Sequence, residues 1–277
     1  MSAARFAFLG TSASVASASR DNTSLVFDAG SVAVLADCGG AAVQRLRRLG
    51  QDPLGLTHAV ITHLHVDHAY GLPSLLRQQG ILGRQAPLTV VCRPEHVEPL
   101  RTLLTVFRLW ERHDLFPLVL KPIDLAVGAH AFTTGDLRVS TAPNEHGAMP
   151  NFAVRVDAAG GPGVVYSSDT QPSEAVIALA RGSDTLVHEA TFAERDRGPA
   201  RYAAHSSAAD AGRVAARAGV RRLILTHVEA AVTATSRLSP RRRAGTSTAP
   251  SRWPRSSAPT PSERAARPRG SRPPSAR

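Results

Sequence analysis

The chain has 277 residues with 33 basic and 22 acidic side chains, a formal net charge of +11. Its two cysteines, Cys38 and Cys92, lie far apart in the sequence, which excludes a disulfide framework or a thiolate metal site and fits a reducing compartment. No apolar run approaches the roughly twenty residues of a membrane span, and the apolar start is too short for a secretory signal, so a soluble cytoplasmic protein is expected.

The length allows one large domain or two small ones with a substantial core. Strands are predicted over residues 5–9, 24–27, 32–36 and 57–61. Between the last two, Ala42, Val43, Leu46 and Leu49 recur at helical spacing, and Gly50 ends that helix. Pro73 suits the first turn of a short helix closed by Gly80. A strand over 88–92 precedes a helix over 94–109, with Val97, Leu100, Leu104 and Phe107 on one face. Further strands are read at 118–123, 137–140, 152–156 and 164–166, then a helix at 173–180 and a strand at 185–188. The helix over 207–218 carries an apolar stripe of Ala208, Ala211, Val214, Ala215 and Ala218, and Ser207 with Asp210 makes a capping-box-like start. A strand over 223–225 follows. Strands alternating with helices after a strand-rich beginning fit an α/β class of two packed sheets with helices outside.

From Ala234 onward the composition changes to Arg, Pro, Ser, Ala, Thr and Gly, with Leu238 and Trp253 the only large apolar residues. This segment holds eleven of the basic residues and one acidic residue, so residues 1–233 carry 22 basic against 21 acidic and are close to neutral. Such a tail cannot bury enough apolar surface to offset the entropy of ordering and is expected to be disordered. It reads either as a basic nucleic-acid arm or as an out-of-frame translation of a GC-rich gene. The domain division is therefore a folded body at 1–233 and a tail at 234–277.

The chemistry gathers in Thr62-His63-Leu64-His65-Val66-Asp67-His68, entered from the strand-like Ala59-Val60-Ile61. In an extended segment His63 and His65 point to one side, and Asp67 and His68 follow as the chain turns. Imidazoles with a carboxylate suit zinc, and also iron or manganese. Two ligands on a strand and two on the next turn can serve two metals. A His-rich polar loop would share the composition, but His146, Asp169 and His227 recur downstream, each where a predicted strand ends.

These pieces resemble a metallo-β-lactamase-fold hydrolase and, within that superfamily, ribonuclease Z. The resemblance rests on Leu9-Gly10-Thr11-Ser12, Ala36-Asp37-Cys38-Gly39, the metal motif with Gly71-Leu72-Pro73 behind it, Ser168-Asp169-Thr170, His188-Glu189-Ala190-Thr191-Phe192, His205-Ser206-Ser207-Ala208 and Leu225-Thr226-His227. It implies a four-layer αββα sandwich. It also implies two zinc ions, one held by His63, His65 and His146, the other by Asp67, His68 and His227, with Asp169 shared. Asp67, His205 and Glu189 would be catalytic, with a hydroxide between the metals as nucleophile, His205 beside the scissile phosphate and Glu189 behind it. The remaining histidines, His58, His96, His113, His130 and His188, match no motif position and are expected to be structural or exposed.

The implied activity is a phosphodiesterase or endoribonuclease that acts on RNA, as a homodimer away from membranes. A small-ester hydrolase, arylsulfatase-like or lactonase-like, could use the same site, and a truncated or frameshifted inactive member is the non-catalytic alternative. Two departures bear on tRNA as substrate. His146 and Asp169 are only 23 positions apart, which leaves no room for the tRNA-gripping arm of common bacterial ribonuclease Z. Val228-Glu229-Ala230 also replaces the family's usual motif after the last histidine, and the closing helix and strand expected beyond it are missing.

Overall fold

The computed structural model describes residues 4–229, apart from positions 111, 113, 125, 162, 197 and 199–203, together with Ser251–Arg252. Two sheets stand face to face. The first contains β1 (Arg5–Gly10), β2 (Ser24–Asp28), β3 (Ala33–Ala36), β4 (Leu56–Val60), β5 (Leu88–Cys92) and β6 (Leu118–Pro122) in that spatial order. The second contains β7 (Ala129–Thr134), β8 (Leu137–Asn144), β9 (Asn151–Ala158), β10 (Val164–Tyr166), β11 (Thr185–Glu189) and β12 (Arg222–Thr226), again in sequence order. Each sheet starts antiparallel and turns parallel, from β3 onward in the first and from β10 onward in the second.

The parallel pairs need crossovers, and helices supply most of them. α1 (Ala42–Arg48) links β3 to β4; α2 (Val66–Ala69) and α3 (Leu72–Ile81) link β4 to β5; α4 (Val97–Val106) links β5 to β6. In the second sheet α5 (Glu174–Ala180) and α6 (Ala208–Ala218) play this part. Side-chain alternation then divides the core. From β2 and β3, Leu25, Phe27, Val34 and Ala36 pack between the sheets against Val139, Phe152, Val154, Val164 and Tyr166. Val26 and Leu35, one position out of phase, face the outer helices with Val43, Leu46, Leu75 and Leu100. Ala153, Val165 and Leu186 meet Val176, Ile177, Val214 and Ala215 of α5 and α6. Three apolar interfaces separate four layers, the αββα sandwich expected.

The capping box at Ser207 and Asp210 is formed as read from the sequence. Other expectations need correction. The helix predicted over 94–109 is a 3-10 turn at Pro94–His96 followed by α4, which stops at Val106. Phe107 is exposed, off the buried face that Leu100 and Leu104 form. Gly80 does not close α3, which runs on to Ile81; a Cβ at Gly80 would come 3.0 Å from Leu115 Cδ1, so packing explains the glycine. β7 was not foreseen, because Ala-His-Ala-Phe-Thr-Thr has little apolar content and its pairing with β8 supplies the order. β8 also continues four residues past its predicted end, to Asn144.

Within the tail, Ser251–Arg252 forms a two-residue strand, β13, paired antiparallel with β1 through Arg5↔Arg252 and Phe6↔Ser251. That much regular structure was not expected. The edge of β1 offers unpaired N–H and C=O groups to any backbone, whatever its side chains. The rest of the tail, and any closing elements after Glu229, lie outside the described residues. Among the described residues no helix is long and apolar enough to cross a membrane.

Candidate metal centre

Every predicted ligand sits beyond the carboxyl end of a strand, on the rim where loops from both sheets meet. β4 leads to His63 and His65, and α2 carries Asp67 and His68. His146 lies in the β8–β9 loop, Asp169 after β10 and His227 after β12. The backbone here is unusual. Asp37, Ser168 and His227 all have positive φ, at 58°, 55° and 53°. Non-glycine residues hold that conformation at a cost of about 1–3 kcal/mol and need surroundings that enforce it. Two glycines let the metal turn settle onto the end of β3: a Cβ at Gly39 would lie 1.5 Å from the Asp67 carbonyl oxygen, and one at Gly71 would lie 2.4 Å from that of Gly40.

The seven side chains converge in two sets. His63, His65, His146 and Asp169 form one; Asp67, His68 and His227 form the other, and within each set the ligand atoms lie within 4.8 Å of one another. In the first set His65 Nδ1 is 3.0 Å from both His63 Nε2 and His146 Nε2. Asp169 Oδ2 stands between the sets, 3.8 Å from His63 Nε2, 4.0 Å from His146 Nε2, 3.3 Å from His68 Nε2 and 3.1 Å from His227 Nε2. Asp67 Oδ2 is 3.3 Å from His227 Nε2 and 3.6 Å from His68 Nε2. Asp169 therefore stands between the two sets.

Which nitrogen each imidazole presents is set from behind. His68 Nδ1 donates to Asp37 Oδ2 at 2.8 Å, and His146 Nδ1 donates to the Ala204 carbonyl at 2.9 Å. His227 Nδ1 is 2.9 Å from Thr191 Oγ1, which itself donates to Glu189 Oε2 at 2.8 Å and so can accept from the imidazole. His63 Nδ1 lies 3.2 Å from Thr62 Oγ1, which donates to Asp37. Four rings therefore turn Nε2 inward, and His65 alone turns Nδ1.

Burial, with neighbouring imidazolium charge second, holds His63 well below the ordinary imidazole pKa, and burial likewise lowers His65 and His146. The shift favours the neutral form of all three, the form that binds metal. Burial opposes charge on His68 too, but Asp169 and Asp37 on either side outweigh it and raise its pKa well above the usual value. The lowered pKa of Asp169, against its own burial, reflects His227 and His68. Asp169 and Asp37 would likewise favour a cation held by this set.

The residues fit such a cation. His68 Nε2 and Asp169 Oδ1 are buried and lack a hydrogen-bond partner among the described residues, and buried polar atoms are rarely left so. His63 and His146, whose far nitrogens are already engaged, and His65 bring three imidazole nitrogens close together, a donor set that would suit a cation such as zinc.

Glu189 and His205 complete the site. Glu189, read from sequence as either functional or a surface carboxylate, is fully buried. Oε1 accepts from His205 Nδ1 at 2.9 Å and from Thr170 N at 2.9 Å, while Oε2 accepts from Thr191 N and Oγ1. Burial lowers the His205 pKa, yet the hydrogen bond and charge of Glu189 more than offset it, so it is raised overall. With Nδ1 bound to Glu189, His205 Nε2 has no hydrogen-bond partner among the described residues, and its ring lies close to Asp169 and His227. Of the other histidines, His58 stacks on Phe132, His96 and His188 are buried and His130 is exposed; His113 is outside the described residues.

Sequence reasoning quoted Asp37 and Thr191 only as motif letters. Asp37 takes hydrogen bonds from His68, Thr62 and, at 2.8 Å, the Tyr166 hydroxyl. Thr191 joins Glu189 to His227. The 23 positions from His146 to Asp169 are taken up by β9, a turn and β10.

The profile of the Beta-lactamase superfamily domain matches residues 32–228. A ribonuclease Z of Halorubrum lacusprofundi is 30% identical, with 81% of this chain and 86% of that protein covered. One of Methanothermobacter thermautotrophicus is 29% identical over 80% of this chain and 85% of the relative. Among solved structures, human tRNase Z, short form, superposes with a TM-score of 0.72 at 23% identity, covering 81% of this chain and 92% of that one. A diphosphatase from the PhnP family gives 0.66 at 17%, covering 82% and 87%. Fold, profile and relatives agree with the ligand geometry in placing the chain: it belongs to the beta-lactamase superfamily and, within it, to the ribonuclease Z family.

Proposed function

We propose that the protein is a metal-dependent endoribonuclease that hydrolyses RNA phosphodiesters with two zinc ions, His63, His65 and His146 holding one and Asp67, His68 and His227 the other, with Asp169 between them. Manganese or iron(II) suits the same donors. The observation that carries this reading is the convergence of both ligand sets on Asp169 with the Glu189–His205 pair beside them. When bound, the two cations supply a nucleophile from water near neutral pH and neutralise charge on the phosphoryl oxygens.

The chain's own groups do the rest. Glu189 fixes the His205 tautomer and favours its protonated form, so Nε2 can give a proton to the departing sugar oxygen. Asp37 and Thr191 hold the His68 and His227 rings in aim. Asp67 lies against both His68 and His227, and its pKa of about 2, lowered despite burial by these histidines, keeps it anionic. Precursor tRNA is proposed as a substrate on the strength of the ribonuclease Z relatives, although no long arm separates His146 from Asp169 here. The enzyme is proposed to act in the cytoplasm as a homodimer.

The test is a hydrolysis panel with purified, metal-quantified protein: bis-p-nitrophenyl phosphate, a precursor tRNA with a 3′ trailer, an aryl sulfate and an acyl-homoserine lactone. Turnover of the two phosphodiesters is expected. Turnover of the sulfate or lactone alone would overturn the reading in favour of a small-ester hydrolase, and no turnover by protein carrying two metals would favour an inactive member.

A further inference from the structure

The strained turn that presents Asp169 is gripped from one side by two asparagines. Asn144 ends β8 and Asn151 begins β9, and they are cross-strand partners at the mouth of the hairpin whose loop carries His146. Asn144 Nδ2 donates to the Ser167 carbonyl at 2.6 Å. Asn151 Nδ2 donates to the Asp169 carbonyl at 2.7 Å. Between those two carbonyls lies Ser168, with its φ of 55°, and its Oγ donates to Asn151 Oδ1 at 3.1 Å. Asn151 is fully buried and uses its whole amide, since Oδ1 also accepts from Phe152 N at 2.7 Å.

The same pair reaches the first sheet. Arg93, just past β5, donates from Nη1 to the Asn151 carbonyl at 2.9 Å. Ser168 Oγ lies 2.7 Å from Thr62 Oγ1, next to His63. One cross-strand pair therefore ties together the loop of His146, the turn of Asp169 and, through Thr62, the strand end of His63.

We infer that Asn144 and Asn151 form an amide clamp that holds the left-handed turn at Ser168 and so positions Asp169 between the two ligand sets. They are positioning residues, acting through Asp169. The physical need is plain: a serine at positive φ returns to extended backbone unless its flanking peptides are fixed, and that return would swing the Asp169 carboxylate off the axis between the sets. A carboxylate shared by two cations tolerates such a shift less well than a ligand of one. The inference rests on the two-metal reading above.

The experiment uses cobalt(II) as probe. Metal-free full-length wild type, Asn144→Ala and Asn151→Ala are titrated with cobalt while the visible absorption is followed, and unfolding midpoints are measured before metal is added. Wild type should bind two cobalt ions. Both variants should bind cobalt about 10–100-fold more weakly, the usual loss when a group supporting a ligand is removed, with a changed absorption band. The half-buried Asn144 decides the matter if Asn151→Ala does not fold. Variants that bind two cobalt ions with the wild-type isotherm and spectrum, even with a lower unfolding midpoint, would overturn the clamp and leave the metal reading standing. Wild type that binds no cobalt pair would overturn both.

Discussion

The Glu189–His205 contact of 2.9 Å makes a distinction between substrates. If Nε2 of His205 protonates the leaving oxygen, His205→Ala should keep its metals and lose about a hundredfold or more on RNA, in line with loss of a positioned acid. The loss should be smaller on bis-p-nitrophenyl phosphate, whose leaving group needs little protonation; equal losses would count against the proton-donor role. Because Glu189 raises the His205 pKa, the acid form is lost as pH rises through that value. Glu189→Gln should therefore move the falling limb of the RNA cleavage profile to lower pH. Asp169→Ala removes the one oxygen between both sets and should abolish binding of at least one cation, as read by elemental analysis. Far from the centre, His58 lies against Phe132 with ring centroids 3.8 Å apart. Burial, then Lys121, lowers its pKa to about 4. The folded state thus refuses a proton that the unfolded chain takes up below its ordinary value of 6.5. Stability from neutral His58 is complete above that pH and is lost as pH falls toward 4. Metal-free His58→Gln should show a smaller drop in Tm than wild type between pH 7 and about 4.5.

The elements meet the centre at close range, and two of them make the point. α2 rests its Asp67 carbonyl where a Gly39 side chain would be. Gly39→Ala forces backbone apart, and overpacking of this kind typically costs about 1–3 kcal/mol. Here the displaced element carries Asp67 and His68, so the variant should lose cobalt affinity along with thermal stability; a stable variant with unchanged cobalt binding would show that the turn can move without harm. α6 is held at its start by the reciprocal Ser207–Asp210 bonds. Ser207→Ala should cost about 1 kcal/mol in a denaturant titration. Since His205 lies two residues before this cap, turnover should fall with it while metal content holds.

On the scale of the whole molecule, charge and fold are separate. Residues 1–233 are nearly neutral, and the tail holds eleven arginines. Removing residues 234–277 should leave metal binding intact, because that segment has only Leu238 and Trp253 as large apolar residues and too little apolar surface to join a core. RNA affinity that falls steeply with salt, the sign of counterion release, should disappear with the tail, as measured by binding at about 50 and 200 mM salt. A truncated protein that unfolds would show that the β1–β13 pairing matters more than its two residues suggest. A truncated protein with unchanged, salt-dependent RNA binding would place the phosphate contacts on the body.

The candidate ligands were picked out in the chain because metal chemistry admits few side chains and these stand where predicted strands end; His63, His65, Asp67, His68, His146, Asp169 and His227 come together in the fold. The order of strands and helices implied two packed sheets with helices outside, whereas the four-layer arrangement came only with the family resemblance. Other features depended on tertiary structure. Asp37 serves His68 from 31 positions away and Tyr166 from 129; the Asn144–Asn151 pair serves a turn 18 to 23 positions on. Polar residues at loop mouths carry no periodicity that announces such partners. β7 exists through pairing with β8, and Phe107 is exposed because α4 ends one residue before it. Composition and spacing determine which atoms can bind metal; only the folded backbone, with its left-handed turns at Asp37, Ser168 and His227, decides where those atoms point.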